Sequence, residues 1–220
     1  MSSHIISIDG GAASGKSSTS RALAERLNLL HVDTGSYYRS LTWALMQQDC
    51  DPEDIDGIVT ALDKIQLGYT IEGRRSCILI DGKTLSNDQI RSKSVNANVS
   101  KFASIAEVRS KLLDYQRSHA EIYKKEGYNG LVMEGRDIGS VVFPNAKHRF
   151  YLHADEATRQ ARRVKEGQVD SIKERDKLDS SRKTAPLKIP EGAELVDTSN
   201  RTLQEVVDYI ASKVEPSFAS

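Results

Sequence analysis

The stretch IISIDGGAASGKSSTSRALAERL, residues 5–27, decides the fold because it joins a strand, a glycine-rich loop and a helix without interruption. The apolar run 5–9 has the length and composition of a buried strand, and residues 17–27 have a helical pattern. Between them, residues 10–17 fit the pattern Gly-x4-Gly-Lys-Ser/Thr. In this setting the pattern predicts a loop that binds the phosphates of a nucleoside triphosphate.

The predicted loop binds phosphate mainly through its backbone. Glycines allow N–H groups to turn towards phosphate oxygens, and the N-terminal end of the following helix adds partial positive charge. Lys16 is expected to reach the β- and γ-phosphates, and the Ser17 hydroxyl is expected to ligate Mg²⁺. The residues predicted to bind the triphosphate are Gly10, Gly11, Ala12, Ala13, Ser14, Gly15, Lys16, Ser17 and Ser18.

The composition is typical of a soluble globular protein. The 220 residues include 31 Lys and Arg and 31 Asp and Glu, so no overall charge attracts nucleic acid or a membrane surface. No apolar stretch has the length of a membrane span, and a cytoplasmic location is expected. Cys50 and Cys77 lie in no metal-binding or redox spacing and are expected to be small apolar residues in a reducing compartment. None of the five histidines is assigned to catalysis or to a metal.

Short apolar runs alternate with helical patterns, which predicts a three-layer α/β domain with a five-stranded parallel sheet. The predicted strands are Ile5–Asp9, Leu29–Asp33, Gly130–Glu134, Arg149–His153 and Glu194–Asp197. Helices are expected around residues 16–27, 37–48, 53–64, 95–103, 106–125, 155–166, 169–182 and 202–213.

One region departs from this alternation. Residues 67–72 and 76–81, joined by Gly73–Arg75, predict a small antiparallel hairpin inserted between the second and third core strands. A second turn at 81–82 leads into residues 83–85. The insertion is expected either to take part in binding an acceptor substrate or to be a purely structural flap.

Polar residues follow the second and third predicted strands, where open α/β sheets bind ligands. After the second strand, Asp33 and Ser36 fit either a helix cap or a functional role, and Arg39 fits either a surface position or a functional one. After the third strand, Arg136 and Asp137 lie between two glycines where the apolar run has stopped. This position favours a functional role for the Arg–Asp pair.

A later helical segment carries a further charged cluster. Arg175, Asp179 and Arg182 are spaced so that they share one helical face. They are compatible with a solvated series of ion pairs or with a binding surface. The arginines at 159, 162 and 163 are equally compatible with an ordinary helix surface.

Taken together, these segments resemble the bacterial cytidylate kinases of the nucleoside monophosphate kinase group, along essentially the whole chain. The order and spacing of the blocks are more specific than any single block. The matching blocks are the loop at 10–18, Asp-Thr-Gly-Ser-Tyr-Tyr-Arg at 33–39, Glu-Val-Arg at 107–109, Gly-Arg-Asp-Ile-Gly-Ser-Val-Val-Phe-Pro at 135–144, Lys-Glu-Arg-Asp-x2-Asp-x2-Arg at 173–182 and Thr-Ala-Pro-Leu at 184–187.

The resemblance implies transfer of the γ-phosphate of ATP, with Mg²⁺, to CMP or dCMP. By this resemblance the cytosine is expected to lie among Ser36, Arg109, Asp137 and Arg182. The sugar is expected to contact Arg175 and Asp179. The acceptor phosphate is expected to contact Arg39 and Arg136. The residues expected to act in catalysis are Lys16, Arg136, Arg162 and Arg163, with Arg159 as a further candidate.

The same resemblance implies a single domain over residues 1–220 built on a P-loop NTPase core. The core is expected at about 1–35 and 126–220. The region that binds the nucleoside monophosphate (NMP), including the β insertion, is expected at about 36–125, and a short lid at about 157–171. A monomer without nucleic-acid or membrane partners is expected.

The chain departs from the family pattern at several positions. Gly11 stands where the family often has Pro, and Ser18 stands where Thr is common. Glu134 occupies a position that is more often Asp, which leaves an outer-shell contact with Mg²⁺ open. The segment 164–171 is shorter than in many relatives, so the lid is expected to close less completely over ATP.

Other readings of the loop fit the sequence less well. A GTPase would need Asn-Lys-x-Asp to recognise guanine, and the one Asp-x-x-Gly match, at 54–57, lies in a predicted helix rather than at a strand end. An ATPase acting on nucleic acid fits poorly with zero net charge and 6% aromatic residues. Within the kinases, UMP or AMP as acceptor is the alternative.

Overall fold

The central sheet begins with the strand that precedes the glycine-rich loop. A computed structural model describes residues 4–165, 172–182 and 184–217, with the side chains of 172–175 left out. The strands are β1 (Ile5–Gly10), β2 (Leu29–Asp33), β3 (Leu67–Glu72), β4 (Arg75–Ile80), β5 (Gly130–Gly135), β6 (His148–His153) and β7 (Glu194–Asp197). The helices are α1 (Lys16–Leu27), α2 (Thr34–Met46), α3 (Ile55–Lys64), α4 (Asn87–Ile90), α5 (Lys93–Phe102), α6 (Ala106–Lys125), α7 (Glu156–Lys165), α8 (Ile172–Ser180) and α9 (Leu203–Val214).

The described residues form one sheet of seven strands in the order β3-β4-β2-β5-β1-β6-β7. The five predicted core strands are all present and run parallel as β2-β5-β1-β6-β7. The predicted count of five is nevertheless wrong for the sheet as a whole. The two additional strands belong to the predicted hairpin, which is antiparallel as expected but also joins the sheet, because β4 pairs in parallel with β2.

The hairpin joins the sheet through the free edge of β2. The backbone N–H of His31 donates to the carbonyl oxygen of Arg74 at 2.7 Å, and His31 is in register with Arg75. The Arg74 side chain extends the contact by an ion pair with Glu25 on α1. An unpaired strand edge leaves backbone groups unsatisfied, so the hairpin covers it. This pairing joins segments that are far apart in sequence. The local pattern therefore predicted the hairpin but not that it pairs with β2.

Helices cover both faces of the sheet, which gives three layers. One apolar cluster lies between the sheet and helices α1 and α9. The other lies between the opposite face and helices α2, α3, α5 and α6. In the part of the chain that the structure describes, no helix has both the length and the apolar character that crossing a membrane requires.

A buried polar cluster ties the hairpin to helices α2 and α6. The Tyr37 hydroxyl donates to the Ser76 carbonyl oxygen at 3.1 Å, and Nε2 of His119 lies 2.9 Å from the Ser76 hydroxyl. Burial lowers the pKa of His119 to about 4. Within the segment 83–85, Lys83 forms an isolated bridge with Ile80 instead of the start of a further strand.

Helix α2 begins earlier than predicted because Asp33 caps it. The Asp33 carboxylate accepts the backbone N–H of Ser36 at 3.2 Å, so the helix starts at Thr34 rather than near residue 37. Asp33 is therefore a helix cap. The early start also places the first two turns of α2 directly at the carboxyl end of β2.

Candidate active site

A cavity of about 470 Å³ opens at the carboxyl ends of β1, β2 and β5. It is lined by the glycine-rich loop, the start of α2, parts of α5 and α6, and the segment that follows β5. The loop and the polar residues predicted after the second and third strands therefore meet in one space. The sheet topology requires this, since the carboxyl ends of parallel strands lie at the same edge.

Two glycines allow the loop to take its path. A Cβ at Gly10 would lie 2.1 Å from the carbonyl oxygen of Leu152, so only glycine fits beside β6. Gly15 has a φ of 90°, in the left-handed region that favours glycine, where it precedes α1. Residues 12–18 of the loop line the cavity, with the N-terminal end of α1 behind them.

Lys16 lies within the cavity wall and is buried. Its ammonium group donates to the carbonyl oxygen of Gly11 at 2.6 Å and to the hydroxyl of Ser14 at 3.3 Å. Burial, assisted by the charge of Arg136, lowers the pKa of Lys16 to about 7. A triphosphate in the cavity would bring negative charge into direct contact with this side chain.

The predicted metal ligand, Ser17, is paired with the strand-end carboxylate Glu134. The Ser17 hydroxyl donates to Glu134 Oε2 at 2.7 Å, and Glu134 is buried. The described residues contain no group of three or more His, Cys, Asp or Glu that could hold a metal ion. Mg²⁺ is usually held by one or two protein oxygens together with substrate phosphates, and it needs no dense protein cluster. The Ser17–Glu134 oxygen pair fits such an ion.

Asp9, at the end of β1, fixes the segment that follows β5. Its two carboxylate oxygens accept the backbone N–H groups of Ile138 and Gly139, each at 2.7 Å. Burial raises the pKa of Asp9 to about 7. Sequence reasoning treated Asp9 as part of the strand. A charged residue at the end of an apolar run, just before the loop, was the available signal.

Arg136, Asp179 and Arg182 form one connected group. The Asp179 carboxylate accepts Nε of Arg136 at 2.8 Å and also pairs with Arg182. Arg136 in addition donates to the carbonyl oxygen of Gly10 at 2.8 Å. Asp179 is 2% exposed, so the reading of this helix face as a solvated series of ion pairs is wrong for Asp179 and Arg182. The predicted partner Arg175 lies outside the residues whose side chains the structure describes.

Arg109 and Asp137 form a second buried pair in the same cavity. The Arg109 guanidinium donates to the Asp137 carboxylate and, at 3.1 Å, to the carbonyl oxygen of Ala103. It also lies over the ring of Tyr38, 5.4 Å from the ring centroid. Burial raises the pKa of the Asp137 carboxyl, and Arg109 opposes that rise. The structure brings together an anion, a cation and an aromatic ring on one wall.

Arg39 is a buried residue, so the reading of Arg39 as an ordinary surface residue is wrong. It is 3% exposed and donates to the side chain of Asn96 at 2.6 Å and to the carbonyl oxygen of Ile90 at 3.2 Å. Its side chain lines the cavity between α2 and α5. The contacts hold a cation at the end of the cavity that is formed by the predicted NMP-binding region.

Ser36 is the predicted substrate contact that the structure does not bring to the central cavity. Its hydroxyl donates to the Asp33 carbonyl oxygen at 2.6 Å. It lines a second cavity of about 380 Å³, where Arg75 and Cys77 of β4 are also found. The Ser36 hydroxyl is therefore already hydrogen-bonded to the cap residue of its own helix. The predicted contact of Ser36 with cytosine stays a prediction.

The neighbouring arginines 162 and 163 on α7 differ in where they point. Arg163 is 6% exposed and lines the central cavity. Arg162 instead donates to the carbonyl oxygen of Thr198 at 2.6 Å and to its hydroxyl at 3.0 Å. The Thr198 hydroxyl in turn donates to the carbonyl oxygen of Ser14 at 3.1 Å. Arg162 therefore supports the loop from behind, whereas Arg163 faces the space that the loop encloses.

The family model described as "Cytidylate kinase" matches residues 6–216. The chain belongs to the cytidylate kinase family. A protein named cytidylate kinase from Clostridium botulinum (strain Langeland) is 38% identical over 221 residues, which is 96% of this chain and 97% of that protein. One from Streptomyces avermitilis is 38% identical over 223 residues, 98% of this chain and 94% of that protein. The resemblance inferred from the ordered sequence blocks is confirmed, and with it an ATP phosphate donor.

The likeness to solved structures concerns the fold alone. A crystal structure of an uncharacterized protein from Eubacterium ventriosum superposes with a TM-score of 0.52 at 15% identity. The match covers 97% of this chain and 99% of that chain. At 15% identity, this match supports the arrangement of strands and helices and gives no information on a substrate.

One contact at the loop was not predicted from the family blocks. The backbone N–H of Ala12 donates to the Asp176 carboxylate at 3.0 Å, and the same carboxylate pairs with Arg159. Arg159 also donates to the carbonyl oxygen of Ala12 at 3.2 Å. Asp176 belongs to the 173–182 block, but sequence reasoning gave it no role. Residues 166–171 of the predicted lid lie outside the described residues.

Proposed function

We propose that this member of the cytidylate kinase family transfers the γ-phosphate of ATP to CMP or dCMP, giving ADP and CDP or dCDP. The observation that carries the proposal is the Arg109–Asp137 pair in the same cavity as the phosphate-binding loop. One wall of that cavity suits a triphosphate and another suits the polar edge of a base. A site of this kind binds two nucleotides.

The donor side is formed by residues 12–18, which include Lys16. Backbone N–H groups and the N-terminal end of α1 favour phosphate oxygens, and Lys16 adds a full charge. Mg²⁺ would be held by Ser17 with Glu134 beside it, and when bound it neutralises charge on the transferring phosphate. The contact of Lys16 with Gly11 is expected to give way to contact with phosphate when ATP enters.

The acceptor side recognises cytosine through complementary charges. Asp137 accepts a hydrogen bond from the exocyclic amine of cytosine. Arg109 donates hydrogen bonds to the N3 and the carbonyl oxygen of the base. Uracil presents a carbonyl where cytosine presents the amine, so a carboxylate there disfavours it. Asp179 is in place to contact the sugar, while Arg39 and Arg136 suit bidentate contact with the acceptor phosphate.

The chemistry requires positioning more than proton transfer. An acceptor phosphate oxygen is already anionic, so it attacks the γ-phosphorus without a strong general base. The protein contributes alignment of the two nucleotides and positive charge around the transferring group. Lys16, Arg136 and Arg163 all line the cavity and supply that charge.

The wider predictions on organisation belong to the same proposal. The core binds the donor, residues 36–125 contribute to the acceptor site, and the lid, of which the structure describes residues 157–165, covers the donor. A monomer as the active unit is part of the same proposal. Cys50 and Cys77 are free thiols, which supports a reducing compartment such as the cytoplasm.

A panel of nucleoside monophosphates tests the proposal. CMP, dCMP, UMP, AMP and GMP are each incubated with ATP and Mg²⁺, and ADP release is measured. We expect turnover with CMP and dCMP well above that with UMP or AMP. Preferred turnover of UMP or AMP would contradict the acceptor assignment. Hydrolysis of GTP with no acceptor requirement would contradict the whole proposal.

A further inference from the structure

His31 is a buried histidine that the proposed reaction does not use. It lies on β2 in register with Val132 on β5, while Asp33 is in register with Glu134. Residues two apart on a strand share a face, so His31 and Glu134 lie diagonally on the same face of the sheet. Nε2 of His31 is 2.9 Å from Oε1 of Glu134, and each side chain is 3% exposed.

The hydrogen bond to Glu134 explains why a polar ring, and not an apolar side chain, occupies this buried position. Among the described residues, Nδ1 of His31 has no hydrogen-bond partner. A buried polar atom without a partner costs free energy, so an apolar side chain of similar size would fill the same space at less cost. A histidine that served only to fill the core would be poorly suited here. Its one polar contact is directed at the carboxylate beside the loop.

Glu134 in turn connects His31 to the phosphate-binding loop. Its Oε1 accepts from His31, and its Oε2 accepts from the hydroxyl of Ser17 at 2.7 Å. Glutamate has one more rotatable bond than the aspartate more often found at this position in the family. Fixing that additional freedom needs a second anchor. The hydrogen bonds from His31 and Ser17 each hold one oxygen of the Glu134 carboxylate.

We propose that His31 is a positioning residue that holds the Glu134 carboxylate in the orientation that serves the Mg²⁺ beside Ser17. The inference rests on the proposed function, since it assigns a role towards the metal of Mg·ATP. Partners that orient the residues of a metal site typically change metal affinity or activity by about 10- to 100-fold when removed. His31 should therefore act on the metal-dependent part of ATP binding and leave the rest unchanged.

Calorimetric titration separates the two parts. The dissociation constant is measured for Mg·ATP and for ATP with EDTA, and the ratio of the two gives the gain due to the metal. Three variants are compared with the parent: His31→Phe and His31→Leu, which lack a donor, and His31→Gln, whose amide can donate to Glu134. His148→Gln is the matched control, because His148 is a buried histidine of β6 bonded to Ser217. Thermal melting is recorded for each.

We expect His31→Phe and His31→Leu to reduce the Mg²⁺-dependent gain by about 10-fold, the lower end of that range, with unchanged affinity for metal-free ATP. His31→Gln should recover most of the gain, and the melting curves show which variants are folded. Using two apolar variants keeps the test valid if one of them fails to fold.

Three results would overturn the inference. An unchanged gain in both apolar variants would show that Glu134 needs no second anchor, while the proposed function stands. A parallel loss of both affinities would show that His31 supports the loop in general. If the parent protein itself gained nothing from Mg²⁺, the metal assignment of the proposed function would fail and the role of His31 with it.

Discussion

At the residue scale, the proposed function assigns the choice of base to the Arg109–Asp137 pair, which lines the central cavity. We expect Asp137→Asn to lower kcat/KM for CMP by about 100-fold, the range of a lost hydrogen bond to a charged group. The ratio of CMP to UMP turnover should fall as well, since an amide can donate to the carbonyl of uracil. The measurement is kcat/KM for both nucleotides.

The control for this change is Asp208→Asn, an exposed aspartate paired with Arg26. It should leave both kcat/KM values within the error of the parent. An unchanged CMP to UMP ratio in folded Asp137→Asn would show that Asp137 does not contact the base.

Arg163 and Arg162 provide a second prediction at this scale, because they are neighbours in sequence that point to different partners. We expect Arg163→Ala to lower kcat by about 1000-fold, the lower end for an arginine that stabilises phosphoryl transfer. Arg162→Ala should weaken ATP binding more than it lowers kcat, because Arg162 contacts Thr198 behind the loop. Steady-state rates with both substrates varied measure the difference.

Arg26→Ala serves as the control for both arginines, because Arg26 lies on the surface of α1 and pairs with Glu215. A loss of kcat in Arg162→Ala equal to that in Arg163→Ala would contradict the division of roles. A change of only a few-fold in Arg163→Ala would contradict its contact with the transferring phosphate.

At the scale of elements, helix α8 contacts the loop where phosphate is expected to bind. The Asp176 carboxylate accepts the Ala12 N–H and places negative charge at a loop that binds an anion. We expect Asp176→Asn to tighten binding of ATP in the absence of CMP by about 10-fold, the equivalent of one such contact. Equilibrium titration with ATP measures the change, with Asp208→Asn as the control. Weaker ATP binding would instead indicate that Asp176 supports the bound state.

The elements also show which parts of the fold could be predicted from the sequence alone. Strands β1, β2 and β5 and the loop were predictable because apolar runs and the Gly-x4-Gly-Lys-Ser pattern are local. The pairing of β4 with β2 was not, since a single register pair, His31 with Arg75, joins distant segments. The burial of Asp179 followed from contacts with Arg182, three residues further on, and with Arg136, which comes from a distant segment. Helical spacing alone left it as one charged residue among others.

At the scale of the whole molecule, the predicted NMP-binding region is fixed to the sheet at a buried joint. That joint is the buried cluster of Tyr37, Ser76 and His119, where α2, β4 and α6 meet. Nδ1 of His119 donates to the Tyr115 carbonyl oxygen at 2.9 Å, which leaves Nε2 to accept from a hydroxyl. We assign the neutral tautomer on these contacts. A neutral buried histidine makes the fold sensitive to acid.

The pKa of His119 sets the direction and range of this sensitivity. Burial lowers it to about 4, from the ordinary value of 6.5 that the unfolded chain has. The lowered pKa means that the neutral ring stabilises the fold above pH 6.5, and that this contribution is lost as the pH falls from 6.5 towards 4. Between pH 7 and pH 5 the loss is about 2 kcal/mol of unfolding free energy.

We expect His119→Gln to be less stable than the parent at pH 7, because the new side chain fits the cluster less well, but to lose about 2 kcal/mol less on going to pH 5. Urea unfolding of both proteins at pH 7, 6 and 5 measures the difference. His153→Gln, a half-exposed histidine on β6, should keep the pH dependence of the parent. Parallel stability curves for His119→Gln and the parent would show that His119 is not the group whose protonation loosens the joint between the NMP-binding region and the sheet.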